Sequence, residues 1–433
     1  MKEDILHFVW RTKKFDLHKL ETSTGEPIEI LSFGQHNHDQ GPDFSNARVK
    51  INETLWAGHV EMHIKSSDWY RHRHDTDLAY ENVILHVVWE DDQPVMRKDG
   101  TMIPCLVLKQ RVPHQLTYNY QYLQASETWI PCEKVIHNVD PLTVSSWLSR
   151  LAVERFVQKA LTFQSLMKET AQHVEESFYR ALMSAFGLPQ NKQPFEQLAA
   201  ALPLSLIDKY SHDRTMLEAL LFGQSGLLNS KVAQDPYAQD PYAQELWQQY
   251  QYLMHKHSLQ PLPMSLWKFG RMRPPSFPTV RLAQFAAIVA DQPRLFAIIS
   301  EMDSIDEIKK LLKKPVSPYW QKHYRFGDQG KGDTSTLGAA TADIICINTI
   351  LPFLFFYGKQ RRIDTLTDKA LSMLEELKPE NNSSIKNWKK SGITAKNAME
   401  SQALLQLKKT YCDQKKCLQC SIGAKIIQQK NLP

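Results

Sequence analysis

Side chains that can bind metal and move protons alternate along one short stretch near the amino terminus, residues 41–65, GPDFSNARVKINETLWAGHVEMHIK. Asp43 begins the first of two predicted strands, and Glu61, His63 and Lys65 occupy alternate positions of the second. Alternate residues of a strand point to one face, so we expect these three side chains to share a face. Two carboxylates hold a divalent ion such as Mg²⁺ or Mn²⁺, and a neighbouring base orients its water. The stretch predicts a site in which Asp43 and Glu61 bind the ion and Lys65 or His63 orients water.

Histidines and acids continue directly after this stretch. The set comprises His59, His63, His72, His74 and His86, together with Asp68, Asp75 and Asp77. Histidine nitrogens bind zinc, so a zinc hydrolase that uses His72 and His74 is one interpretation. The HExxH spacing of helical zinc motifs does not occur among these histidines. The other interpretation is that His72, His74 and Asp77 line the same cleft and contact phosphate or support the ligands.

Two further segments are candidates for substrate contacts. The polar loop at 32–42 offers Gln35, Asn37 and Asp39. The basic, proline-rich segment at 271–281 offers Arg271 and Arg273 beside aromatic residues. Arginines with aromatic rings can bind phosphates and stack on bases. The alternative for the second segment is a rigid connection between helices with solvated arginines.

Three cysteines fall close together in the tail, with the spacing Cys412-x4-Cys417-x2-Cys420. Thiolates at such spacing bind zinc or an iron–sulfur cluster. A fourth ligand is missing from the tail, and Cys132, Cys346 or a histidine would have to supply it from elsewhere in the fold. The alternative is that these cysteines are reduced and bind no metal.

Periodicity divides the chain into two domains. Up to residue 125 the pattern predicts a mixed sheet with helices: a helix at 2–20 and strands at 28–31, 44–51, 55–65, 83–89 and 102–108. From about residue 144 long helical periodicity takes over, including helices at 147–168 and 174–186. We therefore predict a mixed α/β domain at 1–125 and a mainly helical domain with the cysteine cluster at 126–433. A tandem repeat at 233–242, AQDPY AQDPY, is interpreted as a loop or helix start without chemistry of its own.

Composition limits the partners and the compartment. The 433 residues carry a formal charge of +5, which permits nucleic-acid binding without requiring it. The first residues are too charged for a signal peptide, and no apolar run approaches a membrane helix, since 344–357 is predicted to be a buried core helix. Six cysteines without a secretory signal favour a reducing, cytoplasmic location. We expect no membrane partner, and the sequence leaves protein partners open.

The amino-terminal part, roughly 1–110, resembles the restriction-endonuclease-like superfamily, whose signature is PD followed by (D/E)xK on an adjacent strand. Pro42-Asp43 matches the first half, and Glu61-Met62-His63 occupies the second with histidine at the usual lysine position. Lys65 lies two residues further along the same face and is the candidate substitute. The resemblance implies a restriction-endonuclease-like fold and metal-dependent cleavage of nucleic acid. Some nucleases of that superfamily hold their carboxyl terminus with a cysteine-bound cluster, and this tail is similar in kind.

Several stretches taken together also resemble an uncharacterised bacterial family classed only as a domain of unknown function. They are GPDF, VEMH-x4-DW, ILHVVW and the tail YCxxxxCxxCxIG, and they extend over nearly the full length. That resemblance implies no activity or cofactor. A non-catalytic nucleic-acid- or protein-binding protein with a degenerate nuclease-like module is therefore a further hypothesis, and His63 at the lysine position favours it.

Overall fold

The computed structural model describes residues 2–37, 39–233, 240–290, 292–330, 335–430 and 432, and its contacts divide the chain into two units. The first unit consists of Met1–Trp147, Lys390–Gly392 and Leu407–Pro433, and the second of Leu148–Lys389 and Ile393–Gln406. The division thus falls at Trp147 and not at residue 125. The tail, which we assigned to the helical domain, groups with the amino-terminal unit.

One mixed sheet of seven strands organises the first unit. Its strands are β1 Leu20–Glu21, β2 Pro27–Ser32, β3 Gln35–His36, β4 Phe44–Ile51, β5 Thr54–Lys65, β6 Val83–Glu90 and β7 Cys105–Val107. The order is β1-β2-β4-β5-β6-β7, and β3 pairs with β4. Strands β2, β4 and β5 pair antiparallel, whereas β5, β6 and β7 pair parallel. The predicted mixed sheet is confirmed, although the expected strand at 102–108 is reduced to the three residues of β7.

The helices are α1 Asp4–Thr12, α2 Asp68–Arg71, α3 His114–Ala125, α4 Pro141–Glu169, α5 Val174–Phe186, α6 Leu188–Ala201, α7 Leu204–Tyr210, α8 Arg214–Gln224, α9 Ser230–Ala233, α10 Pro241–His257, α11 Pro278–Val289, α12 Leu295–Glu301, α13 Ile305–Leu312, α14 Ala339–Ile345, α15 Leu351–Arg361, α16 Asp364–Glu376, α17 Ser383–Lys390, α18 Ala398–Gln406 and α19 Ser421–Ile427. The structure also has two π-helical turns, Cys346–Ile350 and Leu407–Cys412, and a small hairpin of β8 His323–Arg325 and β9 Asp328–Gln329. Short 3-10 helices are found at Leu78–Tyr80, Ile136–Asn138, Met264–Leu266 and Pro274–Ser276. The first helix is shorter than the predicted 2–20, because Lys13 adopts a left-handed conformation (φ 54°) and ends it.

The second unit is mostly helical, as predicted for this part of the chain, and it has a continuous apolar core. Its most apolar segment, Ala339–Arg361, is long and apolar enough to cross a membrane, but 67% of its most apolar window is buried inside the protein. Phe353 and Leu354 are fully buried there, so the segment is a core helix. Most of the first AQDPY repeat and the first two residues of the second, 234–239, lie outside the described residues. The rest of the second repeat begins α10, where Asp240 accepts hydrogen bonds from the N–H groups of Tyr242 and Ala243.

Apolar residues of α1 and the sheet surround the polar stretch that the sequence singled out. Ile5, Leu6, Val9 and Trp10 are buried on α1, which contacts β5. In the hairpin, Asn52 takes a left-handed conformation (φ 52°) and joins β4 to β5. Strand β5 lies between β4 and β6, and its residues at 60–63 are buried on both faces of the sheet.

Gly58 sits where β5 begins to pair with β6 and leaves no room for a side chain. A Cβ atom there would lie 2.5 Å from the Asn82 carbonyl oxygen and 2.5 Å from Cγ2 of Ile84. We expect Gly58→Ala to lower the free energy of unfolding by about 1–3 kcal/mol, because the two strands must separate to accept the methyl group. Urea unfolding followed by tryptophan fluorescence measures this. Gly270→Ala is the control, since a Cβ at Gly270 meets no atom within 4 Å, and equal midpoints for the two variants would contradict the prediction.

Candidate metal centre

Asp43 and Glu61 meet across the β4–β5 pair. The Asp43 N–H donates to Oε2 of Glu61 at 3.1 Å, and the Met62 N–H donates to Oδ2 of Asp43 at 3.0 Å. Each carboxylate is thus held by the backbone of the other strand. The structure brings together the two acids on which the metal prediction depended.

A buried pair of histidines continues from Glu61. His63 follows Glu61 on the same face of β5, and the strand register places His86 of β6 opposite Glu61. Nδ1 of His63 lies 2.8 Å from Nε2 of His86, and both side chains are buried. When the His63 Nδ1–H donates to His86, Nε2 of His63 keeps its lone pair free to bind a metal. An acceptor for this proton fixes the tautomer of a metal-binding histidine, and here the acceptor is a second imidazole.

The turn after α2 delivers two more imidazoles to the same place. Arg73 takes a left-handed conformation (φ 63°) between His72 and His74. Nδ1 of His72 lies 3.1 Å from Nε2 of His63. His74 is held between Tyr80, which stacks on it with ring centres 3.7 Å apart, and the edge of Trp69. Both histidines therefore come from a local turn whose shape the neighbouring aromatic rings fix.

The donor atoms of this cluster match the dimensions of a small metal ion's coordination shell. Donor nitrogens of His63, His72 and His74 all lie within 4.8 Å of one another. Oε1 of Glu61 is 3.6 Å from Nε2 of His63 and 3.4 Å from Nε2 of His74. A tetrahedron with metal–ligand bonds of about 2.0–2.1 Å has edges of roughly 3.3 Å. Three imidazoles and one carboxylate fit zinc and similar transition ions better than magnesium, which prefers oxygen ligands.

Burial keeps these groups uncharged in the metal-free protein. Burial, then the neighbouring histidines, lowers the pKa of His63 to about 2, and burial lowers that of His86 to about 3. Burial and the charge of Asp43 raise the pKa of Glu61 to about 9. Burial also lowers the pKa of His74. Neutral imidazoles are the form that binds metal, whereas Glu61 must release a proton before it can do so.

Helix α1 adds two residues that our sequence reasoning missed. Nε2 of His7 lies 3.1 Å from Oδ2 of Asp43. Burial acts against the charged form of His7, but the hydrogen bond and charge of Asp43 outweigh it, so its pKa is raised. Glu3 is half-buried near His72 and Asp43, and burial raises its pKa. A histidine between the buried Leu6 and Phe8 was the available sign that α1 faces a polar site.

Lys65 does not join the cluster. It shares a face of β5 with Glu61, but four residues of a strand span about 13 Å. Its side chain is 53% exposed, and its Nζ lies 3.8 Å from Oδ2 of Asp92. The expectation that Lys65 supplies the base beside Glu61 receives no support from this placement, and His63 occupies that position.

The predicted substrate contacts are dispersed. Gln35 is exposed on β3, and Asp77 accepts a hydrogen bond from the Ala79 N–H at the start of the turn Leu78–Tyr80. Asn37 shapes the loop before Asp43, since its Nδ2 donates to the Pro42 carbonyl at 3.1 Å and its N–H to the Asp43 carbonyl. The exposed Arg271 and Arg273 belong to the second unit.

A cleft beside His74 gives solvent a route to the cluster. It has a volume of about 260 Å³, and its walls include Trp69, His74, Tyr80, Arg97 and Lys98. The cleft was not foreseen, because Arg97 and Lys98 come from a loop that has no metal-binding pattern of its own.

The buried carboxyl of Glu61 carries a testable energetic consequence. Because its pKa is raised in the folded state, the folded protein holds, between about pH 5 and 8, a proton that the unfolded chain has already released. Stability of the metal-free protein should therefore fall as pH rises through this window. We expect Glu61→Gln to remove this loss, with a stability difference from wild type that grows by up to about 1.4 kcal/mol per pH unit.

Urea unfolding of the metal-free proteins at several pH values measures this difference. Glu53→Gln is the matched control, since Glu53 is exposed in the β4–β5 turn. A pH-independent difference between Glu61→Gln and wild type would show that Glu61 is ionised when buried.

Comparisons with known proteins place the chain in a family. No curated protein and no solved structure matches it. The family model described as "Protein of unknown function (DUF2851)" matches residues 3–383, a range that contains the whole histidine cluster and Cys132 and ends before the three tail cysteines. The chain therefore belongs to the DUF2851 family of proteins of unknown function.

Proposed function

We propose that this protein is a metal-dependent hydrolase that cleaves phosphodiester bonds in nucleic acid. The observation that carries the proposal is the fit of His63, His72, His74 and Glu61 to a four-ligand ion, with donor separations of 3.1, 3.4 and 3.6 Å. Such an ion polarises a phosphoryl oxygen and lowers the pKa of its bound water. The proposal keeps Glu61 as a metal ligand and moves the ion from the expected magnesium site towards the histidines.

The surrounding residues divide the remaining tasks. His86 orients His63 through the 2.8 Å contact between their rings. Asp43 is partly exposed, with 22% of its side chain accessible, and His7 stands beside it. A carboxylate in this position can accept a proton from an attacking water, and His7 can stabilise its charge. Asp43 is thus the proposed base, in place of the distant Lys65.

The nuclease part of the proposal has a topological argument. Helix α1, the hairpin β4–β5, the short helix α2 and the buried strand β6 follow one another in the order compatible with the restriction-endonuclease-like fold. Asp43 stands at the start of one hairpin strand and Glu61-Met62-His63 within the other, as in that signature. Under this proposal the histidine at the lysine position is explained as a metal ligand. The substrate class rests on this resemblance, whereas the hydrolytic metal centre rests on the donor geometry.

One specific observation favours the alternative that the protein binds nucleic acid or protein without cleaving it. Lys65, which would replace the missing signature lysine, lies about 13 Å along the strand from Glu61 and pairs with Asp92. A module that has lost this group can keep its fold and bind nucleic acid or protein without cleavage. The two functions differ in a simple way, since only the hydrolase turns over substrate when its metal is present.

Metal binding is the first test. We expect the full chain to bind one zinc or manganese ion at the histidine cluster, and His72→Ala with His74→Ala to weaken that binding at least tenfold, because two of three imidazoles are lost. Isothermal titration on protein stripped of metal measures the affinity. His18→Ala is the control, because His18 is an exposed histidine of the same unit. Equal affinity in all three proteins would contradict the metal centre.

Turnover is the second test. Metal-loaded wild type should hydrolyse bis-p-nitrophenyl phosphate or labelled single- and double-stranded DNA and RNA, and Asp43→Asn should lower kcat by about 10²–10⁴ while binding metal, since it removes the proposed base. Circular dichroism checks that the variant is folded. Wild type that binds metal but cleaves none of these substrates would favour the binding-protein alternative. Unchanged turnover in Asp43→Asn would exclude Asp43 as the base.

A further inference from the structure

A second group of potential metal ligands lies in the same unit, where the tail packs against the segment that follows α3. Nε2 of Gln124 donates to the Lys415 carbonyl at 2.8 Å, and Nζ of Lys415 donates back to the Gln124 carbonyl at 2.6 Å. Nζ of Lys408 lies 5.1 Å from the centre of the Trp129 ring. Asn119 of α3 also donates to the Gln429 carbonyl at 2.9 Å. Beyond Cys132, Nε2 of Gln429 donates to the Asn138 carbonyl at 3.1 Å, so these contacts hold the tail against the chain on either side of Cys132.

Four cysteines converge in this region. Cys132, Cys417 and Cys420 are buried, Cys412 is half-buried, and none of the four is in a disulfide. Cys412 lies close enough to Cys132, Cys417 and Cys420 for their charges to raise its pKa. The charges of Cys417 and Cys420 likewise raise the pKa of Cys132. Cys346, the other candidate for the fourth ligand, lies in the second unit beside Asp343 and Lys309. The structure thus selects Cys132 from the two cysteines that the sequence left open.

Burial raises the pKa of all four thiols, but several neighbouring groups favour the thiolate form. The backbone N–H groups of Ile422 and Gly423 and the indole of Trp147 donate towards the sulfur of Cys420. The charge of Lys408 acts on Cys412, and that of Lys415 on Cys417. Four thiolates around a divalent ion, or around an iron–sulfur cluster of charge +2, leave a net charge of −2 that such groups offset.

The loop that carries the tail cysteines is closed so tightly that Gly423 has no room for a side chain. A Cβ atom at Gly423 would lie 2.3 Å from the carbonyl oxygen of Cys417. A π-helical turn ends at Cys412, and the Lys415 N–H returns to its carbonyl at 3.1 Å. The three cysteines, separated by four and two residues, therefore lie on one closed loop.

We propose that Cys132, Cys412, Cys417 and Cys420 form a thiolate metal centre that fastens the tail to the sheet-containing unit. The ligand is a thiophilic metal, either a single zinc ion or an iron–sulfur cluster. The centre is structural, because three of its four cysteines are buried. It is independent of the histidine cluster and of the proposed hydrolase activity.

Elemental analysis of the full chain tests this centre. The protein is expressed with both metals available and purified without oxygen, in a His72→Ala, His74→Ala background that removes the histidine site. We expect about one zinc per chain, or iron with acid-labile sulfide and broad visible absorption, and either result supports the proposal. Neither zinc nor iron, together with no thiolate absorption when Cd²⁺ is added, would overturn it.

Serine substitutions identify the ligands. We expect Cys132→Ser to contain at least tenfold less metal than the parent protein. Cys346 is a buried cysteine of the second unit, so Cys346→Ser is the matched control and should keep its metal. If Cys132→Ser fails to fold, mercurial release of metal from the parent protein replaces it: the metal should appear as four thiols are titrated. Metal retained by Cys132→Ser, or released before any thiol reacts, would overturn the assignment. A protein that lacks the thiolate centre and keeps the histidine site would contradict this proposal alone. A protein that keeps the thiolate centre and lacks the histidine site would contradict the proposed function alone.

Discussion

The parallel pairing of β5 with β6 is the constraint on which the candidate site depends. Its register places His86 opposite Glu61, and β4 pairs on the other edge with Phe44 opposite Val60. A slip by one residue would turn Glu61 and His63 to the opposite face and separate them from Asp43 and His86. The register is fixed by apolar residues, because Val60, Met62, Val87 and Val88 are buried in the same strands. A hydrophobic pattern thus determines the positions of the polar groups, and Gly58 keeps the two strands close enough for it.

Burying a cluster of ionisable side chains disfavours folding unless something compensates. In the metal-free protein the compensation is partial: His63 and His86 hydrogen-bond to each other, and Glu61 accepts from the Asp43 N–H. The cluster is held neutral by raising the pKa of Glu61 and lowering those of His63 and His86. A cation at this position would be stabilised by the ionised Glu61 and by Asp43, so the proposed metal centre would account for the many polar groups in the strands of this sheet. Stability given up within a rigid scaffold is characteristic of functional sites.

The sequence predicted the elements better than it predicted their assembly. The strands at 44–51 and 55–65 and the meeting of Asp43 with Glu61 followed from local patterns, namely period-two alternation and a short turn. Lys65 shows the limit of that reasoning, since sharing a face does not make two residues neighbours when about 13 Å of strand separates them. His7 and Tyr80 approach the site from other elements, and no spacing within the sequence relates them to Glu61. Such long-range contacts need the packing of α1 and of the 78–80 turn.

The cysteines of the tail also show that local sequence patterns do not determine contacts between distant parts of the chain. The spacing of Cys412, Cys417 and Cys420 was sufficient to predict a thiolate site, but the choice between Cys132 and Cys346 required knowledge of which unit the tail joins. The first unit is discontinuous, and the whole of the second unit lies between Trp147 and Leu407 in the sequence. Closing a connection of more than a hundred residues costs on the order of 5 kcal/mol of chain entropy, and a cross-link formed early in folding offsets that cost. The proposed thiolate centre would join residue 132 to the tail, and thus the two ends of the first unit. A cross-link at that place stabilises the fold most, and it leaves the inserted helices free to fold on local contacts.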